Sequence, residues 1–145
     1  MAIINPYLNF KGNCKEAFNF YRSVFGGEFC YLGRCKDMAA HEGTPPVSKE
    51  MEDKILHVSL PISKETVLMG SDTTDGEWEP NFVQGNNISL QICTESKEET
   101  DRVFIALSEG GGVIMPMAFA FWGDYFGMLT DKFGINWMIN FNPEQ

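Results

Sequence analysis

The chain has 145 residues, a formal net charge of −9 and a hydrophobic fraction of 43%. That length suits one domain, which buries roughly 70% of the surface its unfolded form exposes. The acidic balance excludes a nucleic-acid surface, which needs a basic patch. No apolar run approaches the ~20 residues of a transmembrane helix, so no membrane is expected as a partner either.

Residues 5–10 alternate apolar and polar positions, the period of a strand with one buried face. A helix is predicted over 14–25, with Ala17, Phe18, Tyr21, Val24 and Phe25 at helical spacing. Asn13 is its expected N-cap, with Glu16 three residues on, and Gly26-Gly27 its stop. Strands follow over 28–35, 55–61 and 66–71. The stretch 36–54 between the first two is polar and contains Gly43-Thr44-Pro45-Pro46, so it reads as a long loop, the least ordered segment and a lid. A linker over 72–86 leads to a second copy of the pattern. Asn87-Ile88-Ser89-Leu90-Gln91-Ile92 alternates as Asn5-Pro6-Tyr7-Leu8-Asn9-Phe10 does, 82 positions later. Ser96-Lys97-Glu98-Glu99 is a capping box that opens a helix with Val103, Phe104 and Leu107 inward. Gly110-Gly111-Gly112 ends it, and strands over 113–121, 125–130 and 136–141 complete the half. Each half reads β-α-β-β-β, giving modules of about 1–75 and 85–145 within one domain. Cys14, Cys30, Cys35 and Cys93 form no C-x-x-C pair and read as reduced thiols. With no basic n-region before Pro6, a cytoplasmic location is expected.

Several stretches carry a family resemblance. They are Pro6-Tyr7-Leu8-Asn9-Phe10-Lys11-Gly12-Asn13-Cys14, then Ala17-Phe18-Asn19-Phe20-Tyr21 and Val24-Phe25-Gly26-Gly27. Near the other end are Phe121-Trp122-Gly123-Asp124-Tyr125-Phe126-Gly127 and Thr130-Asp131-Lys132-Phe133-Gly134, leading to Trp137-Met138-Ile139-Asn140. Together they resemble the PhnB-like branch of the vicinal oxygen chelate superfamily, which includes glyoxalase I, ring-cleaving dioxygenases and bleomycin-resistance proteins. The resemblance implies an α+β fold in which two βαβββ modules join a curved mixed sheet, a half-barrel with helices on the outer face and a ligand cleft within. It also implies a homodimer and a small-molecule ligand.

Within that fold, alternation splits each strand into two faces. Leu8, Phe10, Leu56, Val58, Leu60, Ile88, Leu90, Ile92, Trp137, Ile139 and Phe141 are expected under the helices. Asn5, Tyr7, Asn9, His57, Ser59, Asn87, Ser89, Gln91, Asn136, Met138 and Asn140 are then expected to face the cleft. Phe121, Trp122 and Tyr125 either close the core or wall the cleft.

The resemblance implies four ligand places for a divalent metal, and they fall on Asn5, Asn87, Met138 and Met69. Neutral Asn carbonyls and soft thioethers suit such an ion poorly, so no metal and no other cofactor is expected. His57 is the candidate acid–base group, with a neutral hydrogen-bonded cleft histidine as the bland alternative; the other imidazole, His41, lies in the loop. Glu50, Glu52 and Asp53 read as a solvated acidic run. PhnB-like chains are often labelled demethylubiquinone methyltransferases, yet no glycine-rich strand-to-helix turn is present for S-adenosylmethionine, because Gly110-Gly111-Gly112 ends a helix. Three readings remain: a metal-independent binder, for which the acidic charge favours a cationic ligand; a lyase, isomerase or dioxygenase using His57 or a rearranged metal site; and a structural or regulatory homodimer with a vestigial cleft. Metal content separates the enzyme from the others.

Overall fold

The structure is a computed structural model that describes residues 1–38, 49–73 and 82–144. Its chain order is β1 (Tyr7–Phe10), α1 (Cys14–Phe25), β2 (Tyr31–Arg34), α2 (Cys35–Met38), β3 (Ile55–Pro61) and β4 (Val67–Asp72) in a first unit, Met1–Phe82. The second unit, Val83–Gln145, holds β5 (Leu90–Cys93), α3 (Lys97–Ser108), β6 (Gly112–Phe119), β7 (Tyr125–Thr130) and β8 (Asn136–Phe141). Sheet orders are β1-β4-β3-β2 and β5-β8-β7-β6, the same topology twice. In each, the opening strand runs parallel to the closing one and the other pairs are antiparallel. The class is α+β, as expected. A parallel pair needs a crossover, and α1 and α3 provide it.

In the first unit α1 buries Cys14, Ala17, Phe18, Tyr21 and Val24. Phe18 meets Phe10 and Tyr21 edge-on, at ring-centroid distances of 6.2 and 5.6 Å. Gly70 makes this approach possible, since a Cβ there would lie 2.6 Å from the Phe18 ring and 2.7 Å from the Leu8 carbonyl oxygen. The start of α1 departs from expectation. The Asn13 side chain makes no capping bond. Asp72, across the sheet, takes that role: its Oδ1 accepts from the N–H groups of Gly12 at 3.0 Å and Cys14 at 2.9 Å, and its Oδ2 from Ile55 N–H at 2.8 Å. The carboxylate is 5% exposed. Burial, then the Asp72 charge, pushes the Cys14 thiol far above its ordinary pKa.

Two further expectations are corrected here. The helix α2 occupies the start of the predicted loop 36–54, held by Cys35 N–H to Lys54 O at 2.9 Å and Lys36 N–H to Glu52 O at 3.1 Å. Residues 39–48 of the predicted lid, His41 among them, lie outside the described residues. On β3, Gly33 pairs with His57 and Arg34 with Ile55, so Leu56 is the extra residue of a β-bulge. The bulge changes the phase of the strand: Ile55, at 1% exposure, takes the core place expected for Leu56, while Val58 and Leu60 remain buried as expected.

In the second unit α3 buries Thr100, Val103, Phe104 and Leu107 over a sheet whose inner residues are Leu129, Trp137 and Ile139. Ser96 caps the helix as expected, its Oγ accepting from Glu99 N–H at 3.1 Å, while the Glu99 carboxylate reaches one residue further back than a capping box requires and accepts from Glu95 N–H at 3.2 Å. Asp131 ties the β7–β8 turn, accepting from Phe133 N–H, Ile135 N–H and Trp137 Nε1–H. Ile88 is a further correction. It precedes β5 and is 73% exposed, because the ladder to β8 begins only at Leu90 paired with Trp137. By element bounds the repeat is 83 positions rather than the expected 82, since β5 and α3 begin 83 residues after β1 and α1 and each strand-to-helix loop is three residues long.

Candidate functional site

Strand register assembles the sheet face of the first unit that α1 leaves uncovered. Tyr7 pairs with Met69, Met69 with Ser59 and Ser59 with Tyr31, a row that crosses all four strands. His57 lies one step along, opposite Gly33. Its Nδ1 is 3.1 Å from Tyr7 Oη and its Nε2 is 2.8 Å from Ser59 Oγ. A hydroxyl can give or take a proton, so either neutral tautomer is satisfied: one accepts from Tyr7 and donates to Ser59, the other does the reverse. Two tyrosine rings flank the imidazole, Tyr7 at 5.5 Å and Tyr31 at 5.7 Å between centroids. Tyr31 leans over Gly33, where a Cβ would lie 2.6 Å from its hydroxyl oxygen. Beside them Ser71 Oγ donates to Asn9 Oδ1 at 3.3 Å. No Lys, Arg, Asp or Glu stands in this face among the residues named.

The structure therefore brings Tyr7, Asn9, His57, Ser59 and Met69 together. The sequence pattern did not single out Tyr31; its signal was available, since Tyr31-Leu32-Gly33 places an aromatic and a glycine on one face of a strand that must pair with His57. Asn5 is different. Its Oδ1 accepts from Val67 N–H at 3.0 Å and secures the start of β4, so that oxygen is committed to the fold.

The corresponding face of the second unit is also polar but uncharged near its centre. Gln91 pairs with Met138, Met138 with Met128, and Thr130 with Asn136. Thr130 Oγ1 donates to Asn136 Oδ1 at 2.7 Å, and Asn140 Nδ2 donates to Asp124 Oδ2 at 2.8 Å. Asn87 and Ser89 lie before β5 and are exposed. A cavity of about 440 Å³ is lined by Gln84, Gly85, Asn86, Thr130, Gly134 and Asn136. Phe121 and Trp122 occupy the tip of the β6–β7 hairpin, their rings edge-to-face at 4.8 Å. Tyr125 belongs to the opposite face. Its hydroxyl donates to Asp101 Oδ1 on α3 at 2.7 Å, and Lys97 Nζ stands 4.8 Å above its ring. That hydrogen bond, with Lys97 behind it, holds the Asp101 carboxyl below the usual carboxylate range. The same bond, then burial, raises the Tyr125 phenol above its ordinary value, with Lys97 opposing the rise. Tyr125 thus packs with the helix and does not wall a cleft.

The ligand places implied for a divalent metal can now be judged on their donors. Asn5 has spent its oxygen on Val67, and Met69 and Met138 offer only thioethers. These residues do not fit a hard or borderline divalent ion.

Paired βαβββ units, each a mixed four-stranded sheet under one long helix, define a glyoxalase-like fold. Structures named for the glyoxalase, bleomycin-resistance and dioxygenase group share this fold, among them one from Burkholderia phytofirmans at TM-score 0.61 and 17% identity, a likeness of fold alone. The chain belongs to the family described as 3-demethylubiquinone-9 3-methyltransferase, which matches residues 2–140. It is similar to protein PA1353 of Pseudomonas aeruginosa, 36% identical with a TM-score of 0.83, each chain covered over 98% of its length. A Bacillus cereus PhnB protein, titled a putative 3-demethylubiquinone-9 3-methyltransferase, is 28% identical at TM-score 0.73, covering 95% of this chain and 98% of that one. Protein YjdN of Escherichia coli K12 is 29% identical over 98% of this chain and 97% of its own.

Proposed function

We propose that this protein binds a small organic molecule without the superfamily's metal, and that His57 with its tyrosine flanks is the centre of the contact. The observation that carries the reading is the continuous bond chain Tyr7–His57–Ser59 beneath two exposed tyrosine rings. Aromatic walls with a few placed polar groups are what small-molecule sites are made of. Asn9, Met69 and Tyr31 extend the surface, and Gln91 and Met138, with Asn87, Ser89, Phe121 and Trp122, are the contributions proposed from the second unit. Among the residues named, this face offers an anion no cationic partner, and the chain's −9 charge favours a cationic or neutral ligand. The chain works as a homodimer in the cytoplasm. Against a methyltransferase activity, none of the three helix starts among the described residues follows a glycine-rich turn of the kind that cradles a nucleotide.

Acid–base catalysis by His57 is the second reading, and one feature favours it: both ring nitrogens are paired with hydroxyls that can pass a proton on. A thermal-shift panel of small organic cations and neutral aromatics, followed by calorimetry on each hit, tests the first reading. Tyr31→Ala and His57→Gln should each weaken a hit at least ~10-fold, about 1.4 kcal/mol. Metal analysis of protein purified without chelator separates the readings. A stoichiometric divalent metal that disappears in His57→Ala would overturn the binder in favour of an enzyme.

A further inference from the structure

The sheet face around His57 is built almost without charge. Arg34 and Asp72 are the only fixed charges in strands β1 to β4, and neither reaches this face. Arg34 pairs with Ile55 and Asp72 with Phe10, both core residues, and directly paired residues share one side of a sheet. Asp72 is moreover spent on three backbone N–H groups. What the face presents instead is π surface. Tyr7 is 43% and Tyr31 52% exposed, and they stand on the two outermost strands of the sheet. The imidazole lies between them, at 5.5 and 5.7 Å between ring centroids. Both its nitrogens are bonded already, to Tyr7 Oη and Ser59 Oγ, so neither is left for a ligand to claim.

We infer that the ligand of this site is an organic cation whose charge sits on a fully alkylated nitrogen, held over His57 between the Tyr7 and Tyr31 rings. The inference rests on the binding reading above and names its class of ligand. The face of an aromatic ring is electron-rich and attracts a cation lying within about 6 Å of its centroid. A cation seated above the imidazole has a tyrosine wall on each side, because β1 and β2 flank β3 and β4. The missing carboxylate decides which kind of cation. A primary ammonium holds three N–H donors strongly hydrated, and these strands offer this face no anion to replace that water. A quaternary nitrogen has no N–H to satisfy. Its alkyl groups pack against the rings and against the Met69 thioether, which the register places between Tyr7 and Ser59. The chain's −9 charge draws cations in general, and the rings select among them.

Calorimetry of the wild-type protein at fixed ionic strength tests this with choline, its neutral carbon isostere neohexanol, and ethanolamine. Choline should bind, and each of the other two at least ~10-fold more weakly. Tyr31→Phe keeps the ring face and should hold choline affinity within ~3-fold, whereas Tyr31→Leu should weaken it on the order of tenfold. The comparison of probes uses the wild type alone and stands whether or not a variant folds. An isostere that binds as well as choline overturns the cation, and ethanolamine binding as well overturns the quaternary nitrogen; either result leaves the binding reading intact. Equal choline affinity in folded Tyr31→Leu and wild type overturns the seat. Choline that fails to bind at millimolar concentration overturns the inference alone where a neutral aromatic binds in a Tyr31- and His57-dependent way. Where no compound binds, the binding reading falls with it.

Discussion

Replacing Asp72 with Ala should be among the most damaging single changes in the first unit. The carboxylate accepts three backbone N–H groups, of Gly12, Cys14 and Ile55, two of them in buried bonds and one part-buried. Each buried donor left without an acceptor costs about 1–3 kcal/mol. Against this, deleting the carboxylate removes the cost of holding a charge out of water. A net loss of ~3 kcal/mol results, a large share of the ~5–15 kcal/mol that stabilises an ordinary domain. For a chain of this length that lowers the melting point by roughly 10 °C. Asp72→Asn keeps the Oδ1 bonds but can turn an amide N–H toward Ile55 N–H, for a loss of about 2 kcal/mol. Asn13→Ala should stay within ~0.5 kcal/mol, as for a surface change that breaks no cap. Urea unfolding of the three variants, compared by midpoint at constant slope, gives the values. An Asp72→Ala loss under ~1 kcal/mol, or an Asn13→Ala loss as large as it, would refute the account of how α1 begins.

Four further outcomes follow from the same structure. Because Asp101 titrates below its usual range when folded, its contribution to stability is present above the ordinary carboxylate pKa and is lost as pH falls through the folded value; Asp101→Asn should flatten the acid limb of a melting-point–pH curve. Tyr125 shifts the other way, so its share is present below the ordinary tyrosine pKa and is lost as pH rises through the folded value, a loss that Tyr125→Phe should abolish. Cys30 and Cys93 are exposed and should react at once with a thiol reagent, while buried Cys14 and Cys35 should react only on unfolding; four fast thiols by absorbance would contradict the packing of α1. Gly70→Ala should cost about 1–3 kcal/mol by pressing a methyl into Phe18 and the Leu8 carbonyl, and a neutral result in urea would show that α1 lies farther from β4 than described.

The sequence made the repeat and the long elements legible because their signals are local. The spans of β3, β7 and β8 coincide with the predicted 55–61, 125–130 and 136–141, and α1 with 14–25. What escaped was set by contacts distant in the chain. Asn13 has the right residue type for a cap, but Asp72, 58 positions beyond Cys14, outcompetes it with a charged acceptor. Tyr125 belongs to an aromatic run whose members look alike, and only its partner Asp101 shows which way it points. His57 and Ser59 could be assigned to one face by alternation, whereas the bonds joining them to Tyr7 depend on β4 lying between β1 and β3.

The bulge at Leu56 bears on how relatives of this chain can be compared. Before it the core-facing apolar residue is Ile55, at an odd number; after it they are Val58 and Leu60, at even numbers. A homologue that lost this one residue would keep every hydrophobic letter and still present a different side chain where His57 stands. An alignment that closes the gap silently will therefore pair functional residues with structural ones along β3. The extra residue separates chains that inherited the histidine's position from those that inherited only the histidine.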